Sequence, residues 1–252
     1  MGGADPVLSR ARWSALVLLS AALAGYSALA EGLPELTRRW DVAVVGAVVF
    51  PLTTGLIWLA LPLAGEPRRH PAALPALAGA VAVILGLAGL DSLFGLAKLA
   101  ALALVGFALV WIFERLWWLT LVAVLIPWID IWSVWTGPTR HVIEERPSLV
   151  ERLAVGIPFP GESSIIYLGP PDVIFFALFL GTARRFGLRI GWTWAAMTGF
   201  LSLTLAAVVL GDVTGLPALP AVCLGFLLPN ADFLARDALG TWRARRAAGS
   251  TE

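Results

Sequence analysis

"YLGPPDVIFFALFLG", Tyr167–Gly181, carries an ionisable side chain, Asp172, at the head of an otherwise apolar run and directly after two prolines. A carboxylate in bilayer hydrocarbon costs at least ~3 kcal/mol on insertion scales, and ionisable groups at that depth mark functional sites. The prolines set the local backbone. A residue before proline is pushed out of the helical region, which predicts extended chain at Gly169 and Pro170. Pro171 suits the first helical position, so Asp172 is expected in the first turn of the helix that follows. The preceding "SSIIYLG" is then expected to be extended, with the β-branched Ile165 and Ile166 in an edge strand. Backbone of that kind is tolerated at membrane depth only where it lines protein or a water cavity. Asp172 therefore reads as part of the wall of a wet pocket.

The rest of the chain supplies the membrane. Of its 252 residues 59% are hydrophobic and only 14% charged, with a mean hydropathy of +0.84; a soluble domain carries about 25% charged residues. Apolar runs of about 20 residues, each enough to cross ~30 Å of hydrocarbon, recur throughout. The expected fold is an all-α polytopic membrane protein of about eight transmembrane helices, near 12–30, 41–64, 72–90, 92–113, 116–136, 165–186, 190–211 and 216–235. The third and fourth are separated by no real loop at "LAGLD", which reads either as a tight hairpin or as a shifted boundary; Asp91 and Lys98 lie on one helical face if Asp91 is helical, and otherwise Asp91 is a hairpin-end charge. A net charge of +1 argues against a nucleic-acid partner, and the lone Cys223 excludes an internal disulfide and a cysteine metal site. The first span ends in an A-x-A-like stretch at Ala28–Ala30 that resembles a secretory signal, but its apolar part is long for one, which favours an uncleaved helix.

Arginine placement orients the bundle. Twelve of the seventeen arginines fall on the side that holds both termini and the even-numbered loops. Both termini are expected in the cytoplasm, with the long charged loop 137–164 outside. The arginine-rich composition, with Lys98 as its single lysine, points to a prokaryotic cytoplasmic membrane.

Asp172 then has a partner. The preceding span, "RLWWLTLVAVLIPWIDIWSVWTGPT", holds Asp130 about 15 residues, or ~22 Å, from Arg115 at its inner end. Asp172 lies about 12 residues, or ~18 Å, from Arg184 on the same side. Two antiparallel neighbours thus carry acids at similar depth. Each acid alone has a plainer reading: Asp130 at the interface beside its tryptophans, Asp172 as a helix cap. In the last span Pro217 and Pro220, in "PALP", remove two backbone donors at the end towards which both acids lie.

An Asp late in one span, Gly-x-x-Asp opening the next, one intervening span and then Pro-Ala-Leu-Pro form an order that resembles the presenilin and signal peptide peptidase family of intramembrane aspartyl proteases. The resemblance covers about residues 116–235. It implies Asp130 and Asp172 as the catalytic pair, and Leu168, Gly169, Pro217, Ala218, Leu219 and Pro220 as substrate-binding positions. It also implies transmembrane-helix substrates and a mechanism without metal or organic cofactor. Two positions depart from the family pattern: Ile129 stands where tyrosine usually precedes the first aspartate, and Pro171 replaces the glycine before the second. Eight spans are counted where the family typically has nine; if the missing one is the first, the order fits. On this reading residues 1–115 are a helical scaffold, 116–235 the catalytic region and 236–252 a basic tail held at anionic lipid.

Rival chemistries find less in the chain. His-Glu-x-x-His is absent; "HVIEE" at 141–145 has one histidine in a charged loop. No Gly-x-Ser-Gly with an intramembrane histidine occurs. A proton-coupled transporter would also use buried acids, but neither "GPPD" nor "PALP" has a second copy, as inverted repeats would provide. An inactive homologue that binds membrane helices stays open; Pro171 speaks for it and the two acids against it.

Overall fold

The computed structural model describes residues 9–65, 73–135, 152–211 and 216–249, with side chains as far as Gly240. The basic loop at 66–72, the charged stretch 136–151 and residues 212–215 lie outside the described residues, as do "HVIEE" and His70. Apolar helices dominate the chain. Among the described residues six are long and apolar enough to cross a membrane, and the chain is an integral membrane protein.

The helices follow one another in eight rods. Helix α1 spans Arg10–Leu29, and α2 (Arg38–Val44) continues through a π-helical turn at Val45–Val49 into α3 (Phe50–Ala60). Then come α4 (Ala73–Leu87), α5 (Asp91–Leu109), α6 (Leu116–Trp135), α7 (Pro170–Arg185), α8 (Ile190–Leu210) and α9 (Leu219–Gly249). Between α6 and α7 the chain forms strands β1 (Val155–Pro158) and β2 (Ile165–Leu168). The hairpin expected between the third and fourth spans is present: Ala88–Leu90 joins α4 to α5, with Gly89 at φ +70°. Helix α9 runs on past residue 236, so the expected tail begins as a continuation of the last helix.

Helix α7 is the centre of the bundle. It touches α5, α6, α8 and α9, and every residue from Phe176 to Ala183 is buried. A helix apolar all round packs inside other helices rather than presenting one stripe. Phe179 stacks on Phe226 of α9 with ring centroids 4.6 Å apart. Small residues bring backbones together, as membrane helices require where apolar area alone supplies no drive. A Cβ on Gly106 of α5 would lie 2.4 Å from the Ile174 carbonyl of α7, and one on Gly225 of α9 would lie 2.4 Å from the Met197 backbone of α8.

Polar groups inside the bundle are matched in pairs. The hydroxyls of Thr54 and Thr198 lie 2.9 Å apart, and Ser202 donates to the Gly46 carbonyl at 2.6 Å where the π-helical turn widens the ladder. Buried Asn230 donates to Thr193 Oγ1 at 2.8 Å and accepts the Arg189 N–H at 3.0 Å. The outer face of α6 carries Trp118, Trp128, Trp132 and Trp135 exposed towards its two ends, as aromatic belts at the two membrane interfaces would place them.

Candidate functional site

The chain before Asp172 is extended, as the prolines predict, but the helix begins one residue earlier than expected. Gly169 is the N-cap with φ −63° and ψ 152°, and Pro170 rather than Pro171 takes the first helical position. Each proline lacks the N–H that a first-turn position leaves without an intrahelical acceptor anyway, so the pair fits there. Asp172 becomes the third helical residue and turns back to accept the Gly169 N–H at Oδ2, 3.0 Å away. This is the reciprocal half of a capping box.

Strand β2 delivers the chain to that cap. Its register is antiparallel to β1, from Val155 opposite Leu168 to Pro158 opposite Ile165. Among the described residues β1 is the strand that pairs with β2. The strand foreseen at Ile165 and Ile166 therefore exists, with a partner that the sequence reading took for a proline-rich loop.

Asp130 sits half-buried in α6, five residues before the last described helical residue. Its Oδ2 accepts the Leu219 N–H at 3.1 Å. Leu219 is the first residue of α9, and Pro220 beside it has no N–H to offer. A carboxylate from another helix thus satisfies a donor at the positive end of α9. Pro217 and Ala218 lead into this turn, where the Ala218 carbonyl accepts the N–H groups of Ala221 and Val222.

The helices that carry the two acids are neighbours. Helices α6 and α7 touch directly, and α9 packs on both. Each aspartate commits Oδ2 to a backbone N–H, while its Oδ1 has no hydrogen-bond partner among the described residues. The plainer capping reading of Asp172 is met by the bond it accepts from the Gly169 N–H. Among the described residues no group of three or more His, Cys, Asp and Glu side chains comes together as a metal site needs.

The structure adds Tyr26 and Gly161, which sequence reasoning passed over, and ties Lys98, already singled out with Asp91, to the hairpin. Tyr26 of α1 donates its hydroxyl to the Pro158 carbonyl at 2.7 Å. Lys98 of α5 donates to the Ala154 carbonyl at 2.5 Å and lies over the Phe94 ring. In the loop joining the strands, the Gly161 N–H bonds the Ala30 carbonyl at 2.7 Å. Gly161 has φ +71°, and a Cβ there would stand 2.5 Å from the Glu35 backbone. Three ties thus hold the hairpin to α1, its following turn and α5. A tyrosine hydroxyl inside an apolar helix needs a partner, a signal that marked Tyr26 in advance. Asp41 of α2, only 3% exposed, leaves Oδ1 without a hydrogen bond among the described residues.

Set against family models, curated proteins and solved structures, the chain matches none of them.

Proposed function

We propose that the protein is an intramembrane aspartyl endopeptidase that cleaves transmembrane helices, with Asp130 and Asp172 as its catalytic pair. The observation that supports this reading is that carboxylates from two neighbouring helices stand at the heads of α7 and α9, Asp172 accepting the Gly169 N–H and Asp130 the Leu219 N–H. The resemblance to the presenilin and signal peptide peptidase family over residues 116–235 adds the substrate class. The bundle would cross the membrane eight times, with both termini in a prokaryotic cytoplasm and the hairpin towards the outer face.

Two carboxyls in one low-dielectric site share a proton. The ionised member takes a proton from water as the water oxygen attacks the scissile carbonyl carbon. The protonated member hydrogen-bonds the carbonyl oxygen and stabilises the tetrahedral intermediate. Collapse of that intermediate breaks the C–N bond, and a proton passes to the departing amine. A helix hides its peptide bonds, so the substrate must unwind first. Strand β2 would offer such an unwound strand an extended partner, with Leu168 and Gly169 beside Asp172 and Pro217–Pro220 beside Asp130.

A second reading is binding of membrane helices without cleavage. It is favoured by the backbone N–H that each acid already accepts, which a purely structural capping role would also produce. Incubation of the purified chain with a helical membrane substrate in liposomes separates the two. Cleavage that is lost in Asp130→Asn and in Asp172→Asn, and blocked by a hydroxyl-bearing peptide isostere, supports the protease. Cleavage that survives both substitutions refutes it, and substrate capture without any cleavage gives the second reading.

A further inference from the structure

A cavity of about 590 Å³ opens at the hairpin end of the bundle, between α1, α5 and the two strands. Neither Asp130 nor Asp172 lines it, so it is a second site. Its size falls within the ~300–1,000 Å³ of small-molecule sites. Both signs of charge contribute to its wall. Glu31, Asp91 and Glu162 are exposed there, and Arg152 and Lys98 belong to the same lining. Leu23, Leu96 and Leu99 supply an apolar part. Helix α1, which forms one side, buries only 11% of its most apolar window and so leaves the cavity beside a surface suited to acyl chains.

We infer that this cavity binds the headgroup of an aminophospholipid. A lone phosphate would meet three carboxylates, and a lone ammonium would meet a guanidinium and an ammonium. A zwitterion with the two charges a few ångströms apart answers both. The phosphate is placed on Arg152, whose planar fork suits two phosphate oxygens, with Lys98 adding charge while it holds Ala154. The primary ammonium has three N–H donors that need acceptors, and Glu31, Asp91 and Glu162 provide them. A choline headgroup carries the same charge but has no N–H to give, so the site should discriminate between the two. Occupancy also braces the hairpin. Val155–Pro158 form part of the wall, and Tyr26 and Lys98, which line the cavity, are the side chains that bond the Pro158 and Ala154 carbonyls. None of this depends on cleavage chemistry.

The test is native mass spectrometry of the full chain released from detergent micelles. The micelles hold equimolar phosphatidylethanolamine, phosphatidylcholine and phosphatidylglycerol of identical acyl chains. The expected result is retention of phosphatidylethanolamine at least about 5-fold above the other two, with Arg152→Ala and Glu31→Gln each lowering it about 5- to 10-fold; a 10-fold change corresponds to ~1.4 kcal/mol. Arg184→Ala, at an exposed position on α7 outside the cavity, serves as the control and should leave phosphatidylethanolamine retention unchanged. Melting curves of the lipid-free variants check that both exposed substitutions leave the fold intact. Equal retention of the three lipids, or phosphatidylethanolamine retention that survives both cavity substitutions, overturns the inference. Displacement of the lipid by free phosphoethanolamine at submillimolar concentration would also overturn it, by making the ligand a soluble one.

Discussion

The carboxylate of Asp130, on α6, accepts the backbone N–H of Leu219, the first residue of α9, at 3.1 Å. One side chain therefore joins two helices and fixes where the last one starts. This dual placement lets chemistry and stability be separated by choice of substitution. Asparagine caps a helix about as well as aspartate, whereas alanine costs about 1 kcal/mol. Asp130→Asn should therefore keep the melting temperature while cleavage falls at least ~100-fold, the scale of losing an acid–base group. Asp130→Ala should lose both. Thermal melts and a cleavage assay on the same preparations give the answer.

Pro171 occupies the second position of α7, where no N–H is needed. Pro171→Gly should lower stability by about 1 kcal/mol through greater freedom of the unfolded chain. The bond between Gly169 and Asp172 should remain, so cleavage should persist. Loss of cleavage in this variant would show that the proline is required beyond its backbone effect.

The close approach of α8 and α9 depends on a missing side chain at Gly225. Gly225→Leu forces backbone apart where a single Cβ already lies 2.4 Å from Met197. Overpacking costs ~1–3 kcal/mol where neighbours can shift, and here the neighbour is backbone, so the upper end is expected. Gly199→Ala, whose Cβ has nothing within 4 Å, is the matched control. Denaturation in mixed micelles measures the difference.

Two arginines near one helix turn should differ sharply. Arg189 pairs with Asp232 through 2.7 and 3.0 Å contacts, but both side chains are about 40% exposed or more. Solvent screens such exposed pairs so that they contribute little, and Asp232→Asn should be nearly silent. Arg185 donates to the Val110 and Phe113 carbonyls at 2.5 and 2.9 Å and stacks on Trp111. Hydrogen bonds from a charged donor are worth ~1.5–3 kcal/mol, so Arg185→Ala should be clearly destabilising in the same melts.

Hydrogen exchange should report the hairpin ties one at a time. Tyr26→Phe removes the bond to Pro158 and should cost about 1 kcal/mol, raising exchange in Val155–Pro158 and Ile165–Leu168 above that in α8. Gly161→Ala should act more strongly, because φ +71° and the Glu35 backbone both oppose a side chain there.

The sequence disclosed the helical rods because each is an apolar run of near-membrane length, and it disclosed the extended stretch up to Gly169 because prolines disfavour helix before them; Pro170 itself was expected extended and instead opens α7. It did not disclose β1. Val155–Pro158 contains a glycine and a proline in four residues, both depleted in strands, and only pairing with Ile165–Leu168 makes it one. The acid pair was legible as matched depth on neighbouring spans, but which way each carboxylate turns depends on caps at Gly169 and Leu219. The lipid cavity was not legible at all. Tyr26, Lys98 and Arg152 stand far apart in the chain and share no pattern; only packing brings them to one wall.

The tie between Tyr26 and Pro158 spans 132 residues of chain. During synthesis the first helix is inserted long before the hairpin leaves the ribosome, at ~5–20 residues per second. Its tyrosine must wait many seconds for the carbonyl that completes it. Final docking of the N-terminal half is thereby a late event in biogenesis, and a nascent chain halted before residue 158 would hold its early spans in the bilayer without the hairpin that locks them together.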